Sequence, residues 1–161
     1  MNKNILKDQI NKYIKESNSV SLKTINISDE KIIEAAFLLS ETLKSKNKIM
    51  ICGNGGSSSD ASHLAAEFTN KFSNNLVRSG LAAISLSTDS TFITAHSNDF
   101  SFDTIFSRQI ESLGVENDIL LVISTSGKSK NILEGLKQAS QMGIKSIALT
   151  GNNNYLNQLA S

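Results

Sequence analysis

Four short apolar runs, none of them alternating, constrain this chain more than any other feature. They are Lys48-Ile49-Met50-Ile51-Cys52, Leu81-Ala82-Ala83-Ile84-Ser85-Leu86, Ile119-Leu120-Leu121-Val122-Ile123 and Lys145-Ser146-Ile147-Ala148-Leu149. A strand with one face in water alternates apolar and polar residues. A continuous run instead suits a strand covered on both faces, as in a parallel sheet packed under helices. Helix-length amphipathic segments lie between the runs, over 57–72, 88–97, 103–113 and 129–142. Strand and helix alternate, so the pattern predicts an α/β fold, a parallel sheet wound with helices on both sides.

Ahead of the first run the spacing predicts two helices. Leu6, Ile10, Tyr13 and Ile14 recur at three- and four-residue intervals, and a Ser/Asn stretch then precedes Val20 and Leu22. Ser28-Asp29 is a candidate cap for a second helix with the stripe Ile32, Ile33, Ala36, Phe37, Leu39 and Leu43. The two stripes exceed what is needed to cover one end of a small sheet, so self-association through these helices is expected. The organisation expected is one domain over 1–161, with N-terminal helices over 1–47 and the α/β core over 48–161. The stretch 152–161 is polar and could begin another helix.

Composition excludes several classes. With 161 residues, 39% of them hydrophobic, the chain can bury a sizeable core. Sixteen basic and 15 acidic residues leave a net charge of +1, which argues against a nucleic-acid clamp. No apolar run approaches the roughly 20 residues that span a bilayer, and the first residues lack a signal-peptide core. Cys52 is the only cysteine, so neither a disulfide framework nor a four-cysteine zinc site can form. A cytoplasmic protein without nucleic-acid or membrane partners is expected.

Two strand ends carry loops of unusual composition, and ligands of open α/β sheets bind beyond the carboxyl ends of strands. In Gly53-Asn54-Gly55-Gly56-Ser57-Ser58-Ser59-Asp60 the glycines allow close backbone approach. The serines open a helix whose free N–H groups suit an anion such as phosphate. Ser124-Thr125-Ser126-Gly127-Lys128-Ser129 has four hydroxyls in six residues. Its Gly-Lys-Ser end imitates a nucleotide-binding P-loop, but that motif needs a glycine where Val122 stands, inside the strand. A cradle for a single phosphate monoester fits better than a triphosphate site. His63 and Glu67, four apart on the intervening helix, share a face. Imidazole and carboxylate can ligate zinc, and a carboxylate can serve as a general base; the same spacing also suits a surface pair.

Gly53-Asn54-Gly55-Gly56-Ser57 through Asp60, His63, Glu67 and Phe68 resembles the signature of the phosphoheptose isomerases. These are sugar-isomerase-domain (SIS) proteins with a flavodoxin-like three-layer fold. Asn98-Asp99-Phe100, Phe106-Ser107-Arg108 and Ile123-Ser124-Thr125-Ser126-Gly127 with Ser129 follow in the family's order. The resemblance implies an aldose–ketose isomerase that converts sedoheptulose 7-phosphate to glycero-manno-heptose 7-phosphate through an enediol, for heptose biosynthesis of lipopolysaccharide or capsule. It implies substrate contacts from Asn54, Gly55, Gly56, Ser57, Glu67, Asn98 and Asp99. Ser124, Thr125, Ser126 and Ser129 would form the phosphate cradle.

By the same resemblance His63 and Glu67 are zinc ligands, Glu67 is the catalytic base, and the assembly is a homotetramer. Ser62, Lys71 and Lys128 depart from residues usual in the family. The family continues with a further strand and a long helix that supply the remaining zinc ligands and a second acid/base group, expected beyond residue 161. The alternative is a non-catalytic SIS sugar-phosphate-binding protein of the type that associates with the replication initiator. That branch tends to lose the acidic residue matching Glu67, so its presence favours the enzyme.

Overall fold

The computed structural model describes residues 3–75, 77–151 and 156; apart from Gly151 and Leu156, the polar stretch after β4 lies outside the described residues. The chain divides into two compact units, Met1–Leu38 and Leu39–Ser161. In the second, four parallel strands, β1 (Ile49–Gly53), β2 (Ala83–Ser85), β3 (Ile119–Ser124) and β4 (Lys145–Thr150), form one sheet in the order β2-β1-β3-β4. Helices α2 (Gly56–Thr69), α3 (Ser90–Asp99), α4 (Ile105–Leu113) and α5 (Lys130–Gln141) alternate with the strands, and a 3-10 turn at Phe102–Thr104 leads into α4.

The continuous apolar runs are explained by two cores, one on each face of the sheet. Met50 and Cys52 of β1 join Leu120 and Val122 of β3 against Ile105, Phe106 and Ile110 of α4 and Ile132 and Leu136 of α5. Ile49 and Ile51 turn the other way, with Leu121 and Ile123, and pack on Ala61 and Ala65 of α2. Those four aliphatic side chains contribute about 1.5–3 kcal/mol each when fully buried. Together they match the net stability of a typical domain, about 5–15 kcal/mol, so a sheet covered on one face only would not hold. Cys52 is completely buried, and desolvation pushes its thiol far above the ordinary range. It is a packing residue.

β2 is shorter than its apolar run. Leu81 gives its N–H to Phe68 O at the end of α2 instead of to the sheet.

The N-terminal expectation of two helices is corrected. Residues Lys3–Lys44 form one continuous helix, α1. The segment contains no glycine and the chain no proline, so nothing in it breaks a helix. The polar residues that suggested an interruption are accommodated inside it. Ser21 Oγ donates to Ser17 O at 3.0 Å and Thr24 Oγ1 to Val20 O at 2.9 Å, the back-bonds that serine and threonine make within helices. Asp29 Oδ1 accepts from Glu30 N at 2.9 Å and does not begin a new helix. Within the first unit Ile10, Tyr13, Ile14, Ile32, Ile33 and Phe37 are all exposed.

An ionic knot pins the N-terminal ends of β1 and β3. Asp118 is buried, with Oδ1 accepting from Lys48 N at 2.9 Å and from the Asn47 amide at 3.3 Å. Its Oδ2 accepts from Val115 N at 2.9 Å and pairs with the Lys48 ammonium. Burial alone would raise the Asp118 pKa, but the bonds from Lys48, Val115 and Asn47 together hold it below the usual carboxylate value. A carboxyl with a lowered folded-state pKa stabilises the fold above its ordinary value near 3.9, and that stability is lost as pH falls through the folded value. Asp118→Asn is expected to cost about 3 kcal/mol at pH 7, as when one partner of a buried pair is removed. Urea titrations should show the gap between variant and parent closing as pH falls below 4.

Candidate functional site

In chain order β2 is laid down on one side of β1 and β3 on the other, so the strand order reverses at the β1–β3 pair. The carboxyl ends of two strands at such a reversal open a crevice. A cavity of about 190 Å³ lies there, lined by Asn54 and Ser57 after β1, by Ser124 at the end of β3 and by Thr125, Ser126 and Ser129 after it. Six of the residues expected at the site from the sequence are thus brought together. Gly55, the N-cap of α2, and Gly56, its first residue, lie between Asn54 and Ser57.

Local geometry explains the composition of both loops. A Cβ at Gly53 would lie 2.5 Å from Ser57 O, so only glycine lets α2 start directly over the end of β1. Gly55, at the N-cap of α2, has φ +55°, in the left-handed region. In the second loop, buried Ser124 accepts from Gly127 N through Oγ at 3.2 Å, and Ser126 Oγ accepts from Lys128 N at 3.2 Å. Ser129 is the N-cap of α5, and its side chain makes no cap bond to that helix. Two helix N-termini, those of α2 and α5, therefore meet at the cavity with their positive dipole ends. Hydroxyls and two helix dipoles converge on one small space, an arrangement that suits an anion.

One residue at this site carries no signal in the sequence. Asn131, on the first turn of α5, exchanges two hydrogen bonds with Asn54 across 77 positions. Asn54 Nδ2 donates to Asn131 Oδ1 at 2.8 Å, and Asn131 Nδ2 returns the bond at 2.9 Å. In a chain with 17 asparagines it does not stand out, and only the fold reveals the contact.

The other expected residues lie elsewhere. His63 and Glu67 sit farther along α2, with His63 Nε2 3.5 Å from Glu67 Oε1, the histidine exposed and the glutamate a quarter exposed. Two donors held about 2.1 Å from one tetrahedral zinc ion stand about 3.4 Å apart, so the pair fits two positions of such a site. Among the described residues no third His, Cys, Asp or Glu joins them. Arg78 grips the same helix end, donating to Glu67 O and Phe68 O at 2.8 Å each, a cation placed at a helix C-terminus. Asn98 and Asp99 end α3 and do not line the cavity; Asn98 Nδ2 donates to Asp99 Oδ1 at 2.8 Å, and both are exposed. His96 is buried, stacked between Phe92 and Phe100, with Nε2 2.9 Å from Thr104 Oγ1. Its packing explains it without a catalytic role.

Residues 12–151 match the family model described as SIS domain. Phosphoheptose isomerase from Helicobacter pylori strain P12 is 44% identical over 147 residues, covering 91% of this chain and 76% of the relative. That of strain Shi470 is 48% identical over 129 residues, covering 80% and 66%. The chain belongs to the SIS-domain family, among the phosphoheptose isomerases. It spans about two thirds to three quarters of the length of these curated relatives. The phosphoheptose isomerase GmhA from Neisseria gonorrhoeae superposes with a TM-score of 0.89 at 37% identity, over 97% of this chain and 81% of that one. The Francisella tularensis phosphoheptose isomerase gives 0.89 at 38%, over 96% and 80%. The parallel α/β architecture expected from the sequence is that of these SIS structures.

The hydroxyls of the second loop should discriminate by charge. If the loop holds a phosphate, replacing Ser126 and Ser129 together with alanine removes hydrogen bonds to a charged group, about 1.5–3 kcal/mol each. Titration calorimetry should show sedoheptulose 7-phosphate binding weakened by that amount, with free sedoheptulose bound poorly by parent and variant alike. Equal affinity of the parent for both sugars would remove the role given to this loop.

Proposed function

We propose that this chain isomerises sedoheptulose 7-phosphate to glycero-manno-heptose 7-phosphate, an aldose–ketose exchange through an enediol. The observation that carries the reading is the hydroxyl-lined cavity at the strand-order reversal, bordered by the first turn of the helix that also bears His63 and Glu67. A heptose 7-phosphate carries an anion that such a cavity suits.

In this reading the cradle of Ser124, Thr125, Ser126 and Ser129 with Ser57 holds the phosphate, and Asn54 and the Gly55-Gly56 backbone hold the sugar. The Glu67 carboxylate takes a proton from the carbon beside the carbonyl and returns it to the neighbouring carbon, a general-base role, while the hydroxyl proton of the first carbon passes to the oxygen of the second. Asn98 and Asp99 are proposed as further substrate contacts; their exposure at the end of α3 leaves them open to a ligand. His63 and Glu67 would contribute two donors to a zinc site. Zinc bound there supplies a Lewis acid for the sugar's carbonyl and hydroxyl oxygens. Among the described residues no helix is long and apolar enough to cross a membrane; the cytoplasm is proposed as the place of action.

The test is isomerisation of sedoheptulose 7-phosphate with zinc supplied, comparing parent and Glu67→Gln. The amide keeps the size of the carboxylate but cannot accept the proton. Turnover should fall by about 10²–10⁴ while affinity for the sugar phosphate is retained. Unchanged turnover in the variant would overturn the role of Glu67. A parent chain that binds the sugar phosphate and fails to isomerise it would support the non-catalytic branch of the family.

A homotetramer built through α1 is part of the proposal. It is supported by the exposed apolar residues Ile10, Ile14, Ile32, Ile33 and Phe37, more than a lone solvated helix would carry. Light scattering should give a mass of four chains, and charged replacements at Ile10 and Ile14 should reduce it. A compact monomer at high concentration would refute the assembly.

A further inference from the structure

We infer that Asn131 is a positioning residue of the anion site, acting through Asn54 to hold the two ligand loops at a fixed separation. The inference rests on reading the cavity as a sugar-phosphate site. Asn131 does not line the cavity and is only 2% exposed, so any effect it has on a ligand must pass through a neighbour. That neighbour is Asn54, which does line it.

The backbone ladder between β1 and β3 ends at Gly53↔Ile123. Beyond that register the two strands lead into separate loops, and the amide pair links Asn54 in the first to Asn131, on the helix turn that follows the second, with bonds of 2.8 and 2.9 Å. Asn131 is itself held, since its Oδ1 also accepts from Ile132 N at 3.0 Å on the first turn of α5. The pair therefore ties Asn54, next to the start of α2, to the start of α5, the two helix N-termini that meet at the cavity.

The residue type follows from chemistry. An asparagine side chain both donates and accepts at one end, so two of them close a reciprocal ring. Asn54 then keeps one N–H and one lone pair for a ligand. Aspartate at 131 could accept from Asn54 but not donate, and would set a second oxygen against Asn54 Oδ1. It would also place a negative charge beside the anion. Glutamine would displace the amide by one methylene. A neutral strut holds the loops without competing with the phosphate for its donors.

Two measurements on the full chain test this, for the parent, Asn131→Ala, Asn131→Asp, Asn54→Ala and the double variant Asn54→Ala/Asn131→Ala. Hydrogen exchange read by mass spectrometry needs no ligand. It should speed up by about tenfold at 53–58 and 124–131 in both Asn131 variants, with amides of the sheet interior unchanged, as expected when local bonds worth a factor of ten are lost. Asn131→Asp is nearly isosteric and guards against a variant that fails to fold. Calorimetry with sedoheptulose 7-phosphate should show affinity about tenfold weaker in Asn131→Ala, and the double variant no weaker than Asn54→Ala alone. A full additional loss in the double variant, or unchanged exchange in both loops, would overturn the inference. A parent that binds no sugar phosphate would refute the functional reading instead, and loop exchange would then decide the strut by itself.

Discussion

Everything at the ligand end of this molecule depends on β1 and β3 being neighbours. Their parallel register runs from Ile49↔Ile119 to Gly53↔Ile123, and every residue of both strands is buried. The pair is secured at both ends by different chemistry. At the N-terminal end the buried Asp118 carboxylate gathers the Lys48 N–H and ammonium and the Val115 N–H. Beyond the C-terminal end the neutral Asn54–Asn131 pair joins the residue after β1 to the first turn of α5. A carboxylate at the cavity would repel an anion held there, whereas the amide pair joins the two elements without adding charge.

The strands and loops were legible in the sequence because their physics is local. A parallel strand buried on both faces is written as an unbroken apolar run, and Met50 and Cys52 face one core while Ile49 and Ile51 face the other. A backbone that must start a helix over a strand end needs glycine at Gly53, and a hydroxyl-rich turn shows in Ser124 to Ser129. The N-terminal helix was misjudged for an equally local reason. Serine and asparagine are common in breaks, but the hydroxyls of Ser21 and Thr24 find carbonyls one turn back within a continuous helix. Asn131 and Arg78 could not be found this way. Their importance lies in what they touch, at 77 positions' distance for the first and at the carbonyls of another element for the second.

α2 links the cavity to the His63–Glu67 pair. Its N-terminus reaches the cavity because Gly53 and Gly55 let it begin there. Three turns later it carries Glu67, paired with His63 on the same face. Arg78 closes its far end by binding the carbonyls of Glu67 and Phe68. The guanidinium satisfies acceptors that a helix leaves open and sets a positive charge against the negative end of the dipole. A helix fixed at both termini holds the cavity-lining Ser57 and the His63–Glu67 pair at a constant separation, whereas a loop carrying either would let that distance drift.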